Sequence, residues 1–198
     1  MSVLEVKNVS FSYGNDTSVL SDFSMSVESH ERVALCAPSG FGKTTLAFLL
    51  AGYSKPQQGS VLLDGMPLPS SGVCPVQMIW QHPETAVDPR IRMRRTLAEA
   101  GEIDPALVVG LGIKEAWMSR YPHELSGGEL QRFCIARALA AQPKFLIADE
   151  ISTMLDALTQ AQIWQFLLVE LERRGIGLVF VSHVPALTER IATRVIEL

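Results

Sequence analysis

Residues 32–51 read RVALCAPSGFGKTTLAFLLA. The mostly apolar run Arg32–Cys36 predicts a short buried strand, and Leu46–Ala51 predicts a helix. The glycine-rich segment between them follows the pattern G-x-x-x-x-G-K-[ST], except that Ala37 stands where the pattern has its first glycine. Strand, glycine-rich loop and helix in this order are the context that a phosphate-binding loop requires. The stretch therefore predicts an α/β fold whose loop holds phosphate groups.

The residue types of this loop suit a nucleotide. Gly40 and Gly42 let backbone N–H groups curl around phosphate oxygens at a helix N-terminus, where the helix dipole favours anions. Lys43 would place its ammonium group between the β- and γ-phosphates, and Thr44 would give its hydroxyl to Mg²⁺. The strand before the loop favours this over the alternative of a glycine-rich turn without a ligand. The predicted nucleotide-binding residues of the loop are Ser39, Gly40, Phe41, Gly42, Lys43, Thr44 and Thr45.

Two adjacent acids follow another apolar run, Phe145–Ala148. They would lie at the carboxyl end of a strand, where α/β sheets bind their ligands. Asp149 can hold Mg²⁺ through water. Glu150 is then free to polarise an attacking water as a general base. Two acids after a strand are weak evidence of a catalytic site when taken alone. Together with the phosphate loop upstream, they predict one.

A second anion site is predicted at residues 125–129, which read LSGGE. Ser126 suits the N-cap of a helix, because a helix-forming run follows it. Capping alone explains Ser126 but not the two glycines, Gly127 and Gly128, which expose backbone N–H groups.

Composition limits the remaining possibilities. The chain has 198 residues, 47% of them hydrophobic, and a net charge of −4. The acidic balance argues against non-specific binding of nucleic acid, apart from a short arginine cluster at residues 90–95. No apolar run approaches the roughly 18 residues that a membrane-spanning helix needs, and residues 1–5 lack the features of a secretory signal. The three cysteines form no metal pattern, and we expect buried, reduced thiols.

These motifs, in this order, resemble those of the ABC ATPase family, whose signature LSGGQ carries glutamine where this chain has Glu129. The resemblance covers Val3–Leu198. It implies that Tyr13 stacks on adenine, that Gln81 senses Mg²⁺ and water, and that His183 contacts the γ-phosphate. It also implies that the loop Ser152–Asp156 crosses to a second monomer.

The resemblance further implies a single ABC ATPase domain over residues 1–198. The expected parts are a RecA-like P-loop core with an antiparallel β subdomain, residues 1–83 and 143–198, and a short helical subdomain, residues 84–142. The cofactors would be ATP and Mg²⁺. The implied catalytic residues are Glu150, His183, Gln81 and Lys43, and the implied metal-binding residues are Thr44, Gln81 and Asp149. The signature residues Ser126, Gly127 and Gly128 would bind ATP held by the opposing chain.

The family resemblance also implies partners. A second ATPase subunit, identical or different, would complete each nucleotide site, and transmembrane permease subunits would receive the motion. A solute-binding protein would act indirectly. Residues 76–90 and 125–139 resemble the peptide and nickel importer branch. We expect a cytoplasmic protein, peripheral on the inner face of the membrane. The alternatives are a non-transport ABC ATPase in repair, translation or iron–sulfur assembly, and a nucleotide-binding regulatory module without turnover.

Overall fold

The computed structural model describes residues 1–14, 17–38, 40–152 and 155–198. The sequence Gly14-Asn15-Asp16 predicts a turn, and Asn15 and Asp16 lie outside these ranges. The strands are β1 (Val3–Tyr13), β2 (Thr17–Glu28), β3 (Arg32–Cys36), β4 (Gln58–Leu63), β5 (Met66–Pro67), β6 (Val76–Ile79), β7 (Phe145–Asp149), β8 (Gly177–Val181) and β9 (Arg194–Glu197). The α-helices are α1 (Lys43–Leu50), α2 (Met93–Ala98), α3 (Pro105–Gly110), α4 (Gly127–Ala140), α5 (Ala157–Arg174) and α6 (Pro185–Ile191). Short 3₁₀ helices span Pro83–Thr85, Glu115–Trp117 and Pro122–Glu124.

The described chain divides into two compact units. The first comprises Met1–Met78, Lys144–Asp149 and Gly175–Leu198, and the second comprises Ile79–Pro143 and Glu150–Arg174. The expected division into residues 1–83 with 143–198 and residues 84–142 stays a prediction.

The first unit is built on two sheets. One has the strand order β6-β7-β8-β3-β9, in which β7, β8, β3 and β9 pair in parallel. The other is antiparallel, in the order β2-β1-β4-β5. Every residue of β7 and β8 is buried, as expected for parallel strands whose two faces are both covered. The carboxyl ends of β3, β7 and β8 therefore share one edge of a buried parallel sheet, which is where the phosphate loop and the acid pair begin.

The second unit is helical, and α4 forms much of its core. Eight of the fourteen residues of α4 are buried, and α2 packs against it. Among the buried residues is Cys134, and burial raises the pKa of its thiol to about 12. The thiol is therefore neutral at physiological pH. The expectation that all three cysteines are buried was wrong for Cys36 and Cys74, which are half-buried, although all three are free.

Candidate functional site

The phosphate loop of the first unit lies between β3 and α1, in the order that the sequence predicts. Gly40 and Gly42 both have a φ of 86°, and Gly42 is the N-cap of α1. This left-handed backbone is open to glycine at little cost and turns successive N–H groups toward one side. Ala37 is not among the residues of the loop with positive φ, so its replacement of glycine introduces no strain of this kind. Ser39 lies outside the described residues.

Lys43 is the buried cation of this loop. Its side chain is 7% exposed, and its Nζ donates to the carbonyl oxygens of Ala37 at 2.7 Å and Pro38 at 3.1 Å. The ammonium group therefore lies inside the loop and is bound to its backbone at two points. Its neighbour Thr44 is exposed on the first turn of α1, where its hydroxyl is accessible to a ligand.

A cavity of about 360 Å³ lies at the carboxyl ends of β3 and β8 in the first unit. It brings Lys43 together with His183, although these residues are far apart in the sequence. This edge of a parallel sheet is the usual ligand position in α/β folds. The cavity is lined by Leu35, Cys36, Ala37, Lys43, Ser182, His183, Pro185, Thr188 and Glu189.

Asp149 and Thr44 are the two predicted metal ligands that lie in the first unit. Asp149 ends β7 and is 4% exposed, at the same sheet edge from which the phosphate loop departs. A carboxylate and a hydroxyl are hard oxygen ligands of the kind that Mg²⁺ prefers, and Mg²⁺ usually takes only one or two carboxylates together with substrate phosphates. The residues present fit this ion. The third predicted ligand, Gln81, belongs to the second unit, and its role in metal binding stays a prediction.

Tyr13 ends β1 with its side chain held at two points. Its hydroxyl lies 3.1 Å from Oγ1 of Thr45, and either oxygen can be the donor. Its ring meets Phe11 edge to face, with the centroids 5.0 Å apart and the planes at 84°. Tyr13 is nevertheless 59% exposed. The ring is thus oriented by the protein while much of its surface remains available to a planar ligand.

In the second unit, Gln81 and Glu150 form a direct contact. Nε2 of Gln81 donates to Oε2 of Glu150 at 2.9 Å. Glu150 has a φ of 48°, a left-handed backbone that costs a non-glycine residue about 1–2 kcal/mol. The sequence showed both residues but gave no sign of their pairing, because 69 positions separate them.

The signature segment forms the N-terminus of α4, and the predicted N-cap at Ser126 is confirmed. Its Oγ accepts from the N–H of Glu129 at 3.3 Å, and Oε2 of Glu129 accepts from the N–H of Ser126 at 2.8 Å. This reciprocal pair is a capping box. The glutamate that replaces the usual glutamine thus caps the helix, which the sequence analysis did not predict. Gly127 is exposed. A Cβ on Gly128 would lie 3.1 Å from Cδ2 of Leu155, so this position has little room for a side chain.

The loop expected to cross to a second monomer is anchored at both described ends. Ser152 is buried, and its Oγ accepts from Nε1 of Trp164 at 3.2 Å. Asp156 accepts from the N–H groups of Leu158 at 3.1 Å and Thr159 at 3.0 Å, which caps the start of α5. Hydrogen bonds from Thr159, its side chain first, lower the pKa of Asp156 below its ordinary value. Thr153 and Met154 lie outside the described residues.

The arginine cluster is partly engaged within the second unit. Arg90 pairs with Asp88 at 3.0 Å, and Arg94 pairs with Glu115. Arg92 donates to the carbonyl of Ser119 and lies over the ring of Tyr121. These contacts favour a structural use of at least part of the cluster.

A comparison with protein families decides the identity of the chain. The profile described as "ABC transporter" matches residues 20–153. The chain belongs to the ABC transporter family. The family predicted from the phosphate loop and the LSGGE segment is confirmed.

Curated relatives within this family match nearly the whole chain. The nickel import ATP-binding protein NikE of Escherichia coli O6:K15:H31 is 33% identical over 222 residues, covering 98% of this chain and 83% of the relative. The spermidine/putrescine import ATP-binding protein PotA of Chromobacterium violaceum is 38% identical and covers 97% of this chain, but only 57% of PotA.

Solved structures confirm the predicted α/β fold of an ABC ATPase. The dimeric, post-hydrolysis structure of the ATP-binding cassette MJ0796 bound to ADP and Pi superposes with a TM-score of 0.85 at 24% identity. The match covers 98% of this chain and 94% of that chain. Among the described residues of this ABC family member, no helix is long and apolar enough to cross a membrane.

Proposed function

We propose that this chain is the ATP-binding and ATP-hydrolysing subunit of an ABC transporter that imports a small solute, such as nickel or a peptide. The proposal is supported chiefly by the likeness to NikE, an import ATP-binding protein, along 98% of the chain. PotA is a spermidine/putrescine import ATP-binding protein, so small organic cations are further candidate solutes. Both relatives are import proteins, which favours transport over a non-transport ABC ATPase.

The phosphate loop would bind the nucleotide. Lys43 contacts two loop carbonyls through a buried ammonium group. Its positive charge would offset the negative charge of the β- and γ-phosphates. The N–H groups of the glycine turn and of α1 would hold phosphate oxygens, because a helix N-terminus attracts anions. Tyr13 would stack on adenine with the exposed part of its ring. Thr44 and Asp149 would hold Mg²⁺, which supplies charge neutralisation on the phosphate oxygens.

Hydrolysis would use Glu150 as the general base. The attacking water forms a bond to the γ-phosphorus, its proton passes to the carboxylate, and the bond from the γ-phosphorus to the bridging oxygen breaks. Gln81 donates to one carboxylate oxygen at 2.9 Å, which fixes the orientation of the group that would accept the proton. His183, which shares a cavity with Lys43, would contact the γ-phosphate.

A second ATPase subunit would complete each site. Ser126, Gly127 and Gly128 at the start of α4 present N–H groups at a helix N-terminus, and in this proposal they close over ATP held by the opposing chain. Transmembrane permease subunits would bind the ATPase pair at the cytoplasmic face of the membrane, and a solute-binding protein would act indirectly. The chain itself would be peripheral, and we expect no nucleic-acid partner.

Phosphate release from the purified chain tests the enzymatic part of this proposal. We expect release that saturates with ATP and stops when EDTA removes Mg²⁺. If ATP binds but no phosphate is released, either by the chain alone or by the chain co-expressed with a second ATPase subunit, the chain is instead a nucleotide-binding regulatory module. Vesicles that hold the permease subunits test the transport part. ATP-dependent accumulation of Ni²⁺ or of a labelled peptide would separate these two solute classes. Accumulation of neither of them nor of spermidine would contradict this part of the proposal.

A further inference from the structure

Gln131 lies one helical turn inside α4 and is almost completely buried, with 2% of its surface exposed. Its Nε2 donates to the carbonyl oxygen of Trp80 at 3.2 Å. Trp80 follows β6 and directly precedes Gln81, and all three residues belong to the second unit. The carbonyl of Trp80 and the N–H of Gln81 are parts of one planar peptide group. A hydrogen bond that holds this carbonyl therefore holds the backbone from which the side chain of Gln81 extends.

The amide of Gln131 is a poor choice for packing alone. Its Oε1 is buried and has no hydrogen-bond partner among the residues that the structure describes. A buried acceptor without a partner destabilises the folded state, whereas an aliphatic side chain of similar size would fill the same space without that cost. What the amide provides that methionine or leucine cannot is the hydrogen bond to Trp80.

We propose that Gln131 is a positioning residue that links the signature segment to the general base. The contacts run from Gln131 to the peptide between Trp80 and Gln81, and from Nε2 of Gln81 to Oε2 of Glu150 at 2.9 Å. Because α4 is a continuous helix from Gly127, a displacement of its N-terminus also displaces Gln131. The inference rests on the proposed function, since it assigns Glu150 the role of base and the start of α4 the role of contacting ATP. Closure of this chain's signature segment over ATP held by the second chain would thereby align Gln81 and Glu150 in the chain that carries the segment.

Two variants remove the hydrogen bond and keep the volume: Gln131→Met and Gln131→Leu. Both should lower kcat for ATP hydrolysis about 2- to 30-fold, the range typical of residues that transmit coupling without touching a ligand. KM for ATP should be unchanged, because Gln131 contributes no group to the phosphate loop. In combination with Gln81→Ala, the loss should equal that of Gln81→Ala alone, since Gln131 acts through Gln81.

Thr96→Val is the matched control. Thr96 is fully buried on α2 in the same unit, and its Oγ1 also lacks a hydrogen-bond partner among the described residues. The substitution therefore removes a buried polar atom of the same kind without breaking a described hydrogen bond. It should leave kcat and the exchange rates described below at wild-type values.

Hydrogen–deuterium exchange of the peptide covering residues 79–83 supplies a readout that does not depend on activity. Exchange should be faster in Gln131→Met and Gln131→Leu than in wild type and Thr96→Val, while the melting temperature is not lowered. Unchanged exchange in this peptide would overturn the inference. Two other results would also overturn it. One is a loss of kcat in the double variant that equals the product of the losses in the two single variants, and the other is a lowered melting temperature in both Gln131→Met and Gln131→Leu that accounts for their loss of kcat. Absence of hydrolysis by the wild-type protein would refute the proposed function instead, and the exchange comparison would still decide whether Gln131 positions Gln81.

Discussion

Gly42→Ala tests the phosphate loop because the added methyl group meets a defined neighbour. A Cβ at this position would lie 2.7 Å from Cγ1 of Val19 on β2 and 3.3 Å from its carbonyl oxygen. The φ of 86° adds a second penalty. A left-handed backbone costs an L-residue about 1–2 kcal/mol, and relief of the clash costs about 1–3 kcal/mol by comparison with overpacked cores. The expected total is a loss of about 2–5 kcal/mol in the free energy of unfolding.

Gly40→Ala separates the two contributions. Gly40 has the same φ of 86°, but a Cβ there would have nothing within 4 Å, so its loss should be only the backbone part, about 1–2 kcal/mol. Urea denaturation of both variants measures the difference, provided that the slope with denaturant is unchanged. Gly42→Ala combined with Val19→Ala should regain most of the part due to the clash. Equal losses for the two glycines, or no gain in the double variant, would refute the proposed packing of the loop against β2.

Three further predictions concern the nucleotide. Lys43→Ala removes a charged group whose hydrogen bonds are worth about 1.5–3 kcal/mol, so calorimetry should show ATP affinity lowered by about 10- to 150-fold; undiminished affinity would place the site elsewhere. Tyr13→Ala should weaken ATP binding several-fold through loss of stacking worth about 1 kcal/mol. Tyr13→Phe keeps the ring and loses only the contact with Thr45, so its loss should be smaller, and wild-type affinity of both variants would exclude adenine stacking. Glu150→Gln should slow hydrolysis by a factor of about 10² to 10⁴ and retain an ATP-bound dimer in size-exclusion chromatography, in whichever pairing is active; near-wild-type turnover would assign the base to another residue.

The strands that the sequence predicted well are those in which nearly every residue is buried. Strands β3 and β7 are short apolar runs, and they are almost wholly buried in the parallel sheet. Strand β9 was missed because it is an edge strand that pairs with β3, with three of its four residues exposed, and no apolar run marks it. Helix α6 was also missed, although Pro185 in its first turn is a recognised start signal.

Local motifs of the candidate site were predictable, whereas contacts between distant residues were not. The glycine turn before Lys43 and the cap at Ser126 follow from residue types a few positions apart. The contact of Gln81 with Glu150 joins residues 69 positions apart, and no periodicity or propensity encodes such a pair. The capping role of Glu129 lies between these cases. Its spacing from Ser126 fits the capping-box pattern, so the sequence contains the signal for this role.

The backbone at Glu150 explains how two adjacent acids can take separate roles. In an extended strand successive side chains alternate between the two faces of the sheet, and Asp149 is the last residue of such a strand, β7. Glu150 leaves it, because its φ of 48° is incompatible with a strand. Glycine or asparagine would adopt this conformation at lower cost. Backbone preference therefore does not explain why a glutamate occupies this position. The hydrogen bond from Gln81 shows that its carboxylate is oriented. An oriented carboxylate on a strained backbone is typical of functional sites, which supports the proposed role of Glu150 in proton transfer.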